Sequence, residues 1–144
     1  MRRVLAIVLA GCSSSPQLST CADSLAGTWR AESGDWMLVD RGRTLEGYPL
    51  FDDSHEIADR VLVVAPRVID LRRDGDAVTG EISRRYMTGG DACVTTVPFR
   101  VLSCSGHTIE VILADSSPPT RFAPCAESSR TNPSRREKWR RTHP

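Results

Sequence analysis

The chain predicts an all-β domain, a small antiparallel barrel or sandwich of about 7–8 short strands, braced by disulfides. Three observations carry that expectation. Short runs rich in Val, Ile, Leu, Thr and Trp alternate with turn residues roughly every 8–12 positions. No segment keeps a helical period beyond two turns. Four cysteines remain once Cys12 is set aside, an even number suited to bracing a small exported domain. The length of 144 residues fits one domain, and 40% hydrophobic with 26% charged residues excludes wholesale disorder. Ten Gly and nine Pro exclude a collagen-like or low-complexity chain. The longest uninterrupted apolar run, Val4 to Ala10, falls far short of the ~20 residues of a spanning helix.

The elements follow in order through a body spanning 25–129. Leu25–Arg30 and Trp36–Val39 suit a half-buried pleated surface. Arg41-Gly42-Arg43 is a turn before Thr44–Tyr48. Asp52–Glu56 is a polar loop, open to a short helical turn capped by Asp53 or Ser54. Val61–Val64 is a short buried strand ended by Pro66. Val68–Arg73 and Ala77–Ser83 flank Asp74-Gly75-Asp76, a strong hairpin signal. A second hairpin joins Val94–Leu102 to Thr108–Leu113 through Ser105-Gly106. Loops are expected over Ser116–Pro119 and Pro124–Pro133, and Lys138–Arg141 can form a last strand. Residues 130–144 are therefore a basic tail or a closing strand.

The start of the chain is read as an address. Met1-Arg2-Arg3 is cationic and Val4–Ala10 is apolar, the n- and h-regions of a signal peptide over residues 1–11. Leu9-Ala10-Gly11-Cys12 resembles the lipobox of bacterial lipoproteins. That resemblance implies cleavage before Cys12, a covalent lipid on it, and a lipid bilayer as partner. It also implies a lipidated tether over 12–24, with Ser13–Thr20 flexible and polar. Each buried CH₂ of the acyl chains would stabilise anchoring by ~0.8 kcal/mol. Ser13, where an Asp would imply retention at the inner membrane, points through the same resemblance to the outer membrane, facing the periplasm or the cell surface. The competing reading is a plain secretory signal with Cys12 present by coincidence.

Cys21, Cys93, Cys104 and Cys125 allow three pairings. An extended strand from Cys93 to Leu102 would place Cys93 and Cys104 more than ~30 Å apart, against the ~6 Å a disulfide spans. Cys93–Cys125 with Cys21–Cys104 is expected, and a bend at Pro98 is the feature that would instead join Cys93 to Cys104. The chain has no CxxC pair, and His55, His107 and His143 are scattered, so no zinc site is expected.

After cleavage the charge is uneven. Six basic residues (Arg130, Arg135, Arg136, Lys138, Arg140 and Arg141) stand in the last stretch against Glu137 alone, while the remaining mature chain carries 11 basic and 17 acidic residues. Arg135, Arg136, Lys138, Arg140 and Arg141 are candidates for binding an anionic envelope polymer, lipid head groups or an acidic partner protein. The alternative is that this segment completes the sheet with its charges in solvent. Export argues against a nucleic-acid partner. Gly27-Thr28-Trp29 resembles the GxW opening of lipocalins. The resemblance implies that Trp29 plugs one barrel end and that Arg140 or Arg141 packs across it. A small β domain with a core Trp near its start is the competing reading.

For chemistry the sequence nominates nothing firm. Asp52–Asp59 gathers four carboxylates and His55, but without the Asp-x-Asp-x-Asp-Gly order of a calcium loop it reads as a solvated acidic loop. No Gly-x-Ser-x-Gly turn accompanies the Ser, His and Asp residues, so no catalytic set, metal or cofactor beyond the lipid is expected. The function expected is a membrane-anchored envelope lipoprotein serving as a binding or structural module. The alternatives are a lipocalin-like carrier of a small apolar ligand, for which eight aromatic residues are few, and an envelope hydrolase.

Overall fold

A computed structural model describes residues 16–51, 56–58, 61–88, 91–114 and 134–144. Nine strands are arranged as β1 (Gly27–Ala31), β2 (Gly34–Asp40), β3 (Thr44–Pro49), β4 (Glu56–Ala58), β5 (Val61–Asp74), β6 (Ala77–Thr88), β7 (Asp91–Ser105), β8 (Thr108–Leu113) and β9 (Arg135–His143). Every pairing between them is antiparallel, and β3 pairs with β5 while β9 pairs with β1. Eight strands thus close an up-and-down barrel, with β4 attached to β5 outside the ring. Closure leaves the ring without exposed edges.

The turn chemistry drives this topology. Gly75 (φ 58) and Gly106 (φ 57) lie in two-residue loops joining Asp74 to Ala77 and Ser105 to Thr108. A left-handed backbone costs glycine little, so both expected hairpins form where the sequence places them. On β8 the pattern of half-buried Thr108, Glu110 and Ile112 against buried Ile109, Val111 and Leu113 has the period of a strand with one face in a core. The barrel interior collects Leu38, Leu45, Ile69, Leu71, Val78, Ile82, Val97, Phe99, Val101 and Trp139 from successive strands.

Four expectations need correction. The strands are not all short, for β5, β6 and β7 hold 14, 12 and 15 residues. β5 does not end at Pro66, because register shifts between Val63 and Val68 let the strand pass the proline. Glu56–Ala58 is a short strand and not part of a loop or helical turn, its backbone being drawn into the ladder of β5; residues 52–55 lie outside the described residues. The polar stretch ending at Thr20 is not free from Pro16 onward. Leu18 is 5% exposed and bridges Gly106, because an apolar side chain within the serine-rich run finds a place over the barrel end. The final segment resolves to the closing strand, and β9 fills the gap between β1 and β8.

Candidate functional site

Residues 16–26 form a strap across the end of the barrel where β2, β5 and β7 finish. Leu18 N–H donates to Gly106 O at 2.7 Å and Gly106 N–H to Leu18 O at 2.8 Å. Cys21 is bonded to Cys104 with 5.0 Å between their Cα atoms, the pairing expected from strand length. Pro98 does not fold β7 back on itself. It pairs with Glu81 on β6, one residue beyond the point where the β8 ladder stops at Phe99. Cys93 also lies in a disulfide, and its expected partner Cys125 lies outside the described residues.

Two arginines fasten the strap. Arg73 on β5 donates to the carbonyls of Cys21 (3.0 Å) and Asp23 (3.1 Å) and forms a two-pronged ion pair with Asp40 at 2.9 and 2.6 Å. Both partners are nearly withdrawn from water, with side chains 10% and 3% exposed. Asp40 further accepts the N–H groups of Leu25 and Gly42, both at 2.8 Å. Burial alone would raise the Asp40 pKa; hydrogen bonds from Arg73, Leu25 and Gly42 outweigh it and hold the carboxyl below its ordinary range. Arg141 is the second fastener. Its guanidinium lies 4.8 Å from the centroid of the fully buried Trp29 ring and donates to the carbonyls of Pro16 and Ser24. Trp29 in turn donates Nε1–H to Leu25 O at 2.9 Å. Burial lowers the Arg141 pKa and Asp40 opposes that. Of the two late arginines nominated to cross Trp29, Arg141 does so and Arg140 faces solvent.

Among the described residues, aromatic side chains pack across the lumen. Trp36 on β2 stacks on Trp139 of β9 (5.6 Å, 16° between planes), and Phe99 of β7 meets Trp139 edge-on at 5.6 Å. Since β2 and β7 stand opposite each other in the ring, these rings cross the interior from wall to wall. Phe51 abuts Trp36 edge-on at 6.1 Å, and the Arg67 guanidinium sits 5.5 Å from the Trp36 centroid. Among the described residues, a space of about 20 Å³ lies beside Arg67, Ile82, Ser83, Arg84, Tyr86, Thr95 and Val97. That is room for about one water, against the ~300–1,000 Å³ of a typical small-molecule pocket.

The basic candidates divide by strand alternation. Glu137 is buried on the inner face of β9, accepting from Arg135 Nε at 2.8 Å and from Trp139 Nε1 at 3.0 Å. Arg136, Lys138 and Arg140 point outward and are exposed. Arg136 lies 3.7 Å from Glu110 on β8. Arg135 pairs with Glu137 while its side chain stays 43% exposed, Arg141 packs on Trp29, and Arg136, Lys138 and Arg140 form the outward row. The buried Glu137 was missed by sequence reading, although its place two residues before Trp139 on a strand marks it as inward-facing. Arg73 was also missed, as nothing local distinguishes it from the exposed Arg72.

His107 occupies the exposed corner of the β7–β8 turn, as expected, and His55 lies outside the described residues. Among the described residues no group of three or more His, Cys, Asp or Glu side chains is arranged to hold a metal ion. None of the described residues forms a helix long and apolar enough to cross a membrane. Compared with family models, curated proteins and solved structures, the chain matches none.

Proposed function

We propose that the protein is a bacterial envelope lipoprotein, anchored through Cys12, whose barrel serves as a binding or structural module. The observation that carries the module reading is the aromatic packing across the lumen among the described residues. Trp36, Trp139 and Phe99 occupy the space that a carrier would leave for its ligand, so a partner is met on the outer wall or at the rim. A lipocalin-like carrier is correspondingly disfavoured, even though Arg141 lies across Trp29 as the lipocalin resemblance implied. For an envelope hydrolase, the second alternative, His107 stands at the exposed β7–β8 turn and His55 lies outside the described residues.

The anchor reading is supported by the cationic start, the apolar run and the tetrapeptide ending at Cys12. The outward row of Arg136, Lys138 and Arg140 supplies the surface for an anionic envelope polymer or an acidic partner protein. Metabolic labelling with radioactive palmitate tests the anchor. Label is expected on the wild type and none on Cys12→Ser, and a mature product that retains Met1 would overturn the reading. Native mass spectrometry of the delipidated domain tests the module reading against the carrier. A stoichiometric apolar ligand travelling with the protein would overturn it.

A further inference from the structure

The strap constrains how an anchored barrel can sit. Leu18 is paired with Gly106, Cys21 is covalently tied to Cys104, Arg73 holds the carbonyls of Cys21 and Asp23, and Arg141 holds those of Pro16 and Ser24. Pro16 is therefore part of the closed barrel end. Only three residues separate it from Cys12. Covalent geometry limits four residue steps to ~14 Å, even for a fully extended chain. Along β7 the distance from Ser105 at the strap end to Ala92 near the other end is ~43 Å. An anchor at Cys12 can reach the first of these ends and not the second.

We infer that the protein stands on its bilayer with the strap end down, presenting the opposite end of the barrel, where β6 ends and β7 begins, away from the membrane. This rests on the lipoprotein reading and adds the orientation that follows from it. The exposed turn residues at the strap end include Arg41-Gly42-Arg43, Gly75-Asp76 and His107. They are polar, and the large exposed hydrophobics Met37, Leu50 and Val94 lie elsewhere, so this end rests against head groups without inserting among acyl chains. The disulfide, by pinning Cys21, keeps the tether short. Without it the chain from Cys12 would have the slack to let the barrel tumble. The partner is met at the upper rim or on the wall of β9, both turned to the aqueous side.

The test uses the full-length lipidated protein, its acyl chains verified by intact mass, in phosphatidylethanolamine–phosphatidylglycerol vesicles carrying a nitroxide at the head group. Lys138 is the chain's single lysine. An amine-reactive fluorophore can therefore be placed through His107→Lys or Ala92→Lys in a Lys138→Gln background, with that background alone as the blank for the amino terminus. The expected result is quenching several-fold greater at position 107 than at 92, with the difference shrinking when a long Gly-Ser linker is inserted between Ser15 and Pro16. Floating protein with equal or reversed quenching overturns the orientation and leaves the anchor standing. Protein without acyl mass that fails to float with the vesicles overturns the anchor, and the orientation with it.

Discussion

Asp40 and Arg73 illustrate how few side chains hold the strap to the barrel. A buried ion pair gains little net energy over an apolar pair of the same shape, but removing one partner strands the other charge, which costs about 3–5 kcal/mol. Arg73→Ala should therefore lower unfolding free energy by about that amount in urea titrations, and Asp40→Ala with Arg73→Ala together should cost less than the two singles summed. The pair also confers a pH dependence with a definite sign. The folded Asp40 pKa is depressed below its unfolded value, so its stabilisation is complete above the unfolded value near ~3.9 and is lost as pH falls through the folded one. Asp23 acts in the same direction, because the N–H groups of Ser19 and Thr20 and the Ser19 hydroxyl bind its carboxylate. The expected observation is a melting temperature that drops steeply in acid below about pH 4 for wild type. In Asp40→Asn that acid slope should be shallower; an unchanged slope would show that other carboxylates dominate.

At the scale of elements, β9 performs two tasks on its two faces. Its inner face carries Glu137, Trp139 and Arg141 into the packing, while its outer face presents Arg136, Lys138 and Arg140. Exposed residues away from caps and networks change stability by within ~0.5 kcal/mol. The triple change of Arg136, Lys138 and Arg140 to Gln should thus leave the melting temperature near wild type while weakening binding to a soluble polyanion such as heparin, with the wild-type binding falling as salt rises. Arg141→Gln should instead cost about 1–3 kcal/mol of stability, since the contact with Trp29 and the bonds to two carbonyls go together. Loss of folding in the outward triple variant would assign those charges to structure. Part of this strand was legible beforehand: the strand-like run Lys138–Arg141 and the GxW resemblance directed attention to Arg140 and Arg141, and geometry selected the residue whose side chain points in. The hairpins at Gly75 and Gly106 were legible because their φ requirements are local. Of the strap only the Cys21–Cys104 bond was legible, since Leu18 stands in a Ser- and Thr-rich run whose composition resembles a tether, and its docking depends on Gly106, more than 80 positions away. The passage of β5 through Pro66 was hidden for a related reason, as a register shift is a property of two strands and not of one.

At the scale of the whole molecule, ring closure and the strap act on the same end of the barrel, and the remainder depends on the aromatic filling. Crosslinking residues 83 positions apart restricts the unfolded chain by about 4.5 kcal/mol in the chain-entropy account. Replacing Cys21 and Cys104 by Ala should therefore lower stability by up to about that amount, read as a shift in urea midpoint with the slope of the transition compared alongside. The filling can be tested separately from the crosslink. Trp36 is 1% exposed, stacked on Trp139 and abutted by Phe51, so Trp36→Ala removes one of the rings that pack across the lumen. The loss should cost about 3–5 kcal/mol if the surrounding side chains cannot collapse inward. An apolar cavity of that origin tends to stay dry and accept a small aromatic guest. Calorimetry with benzene or indole should then detect binding to Trp36→Ala and none to the wild type, the guest restoring part of the lost melting temperature by mass action. Binding of equal strength to the wild type would mean that the native lumen already opens to ligands, and the choice between wall-binding module and carrier would be reversed.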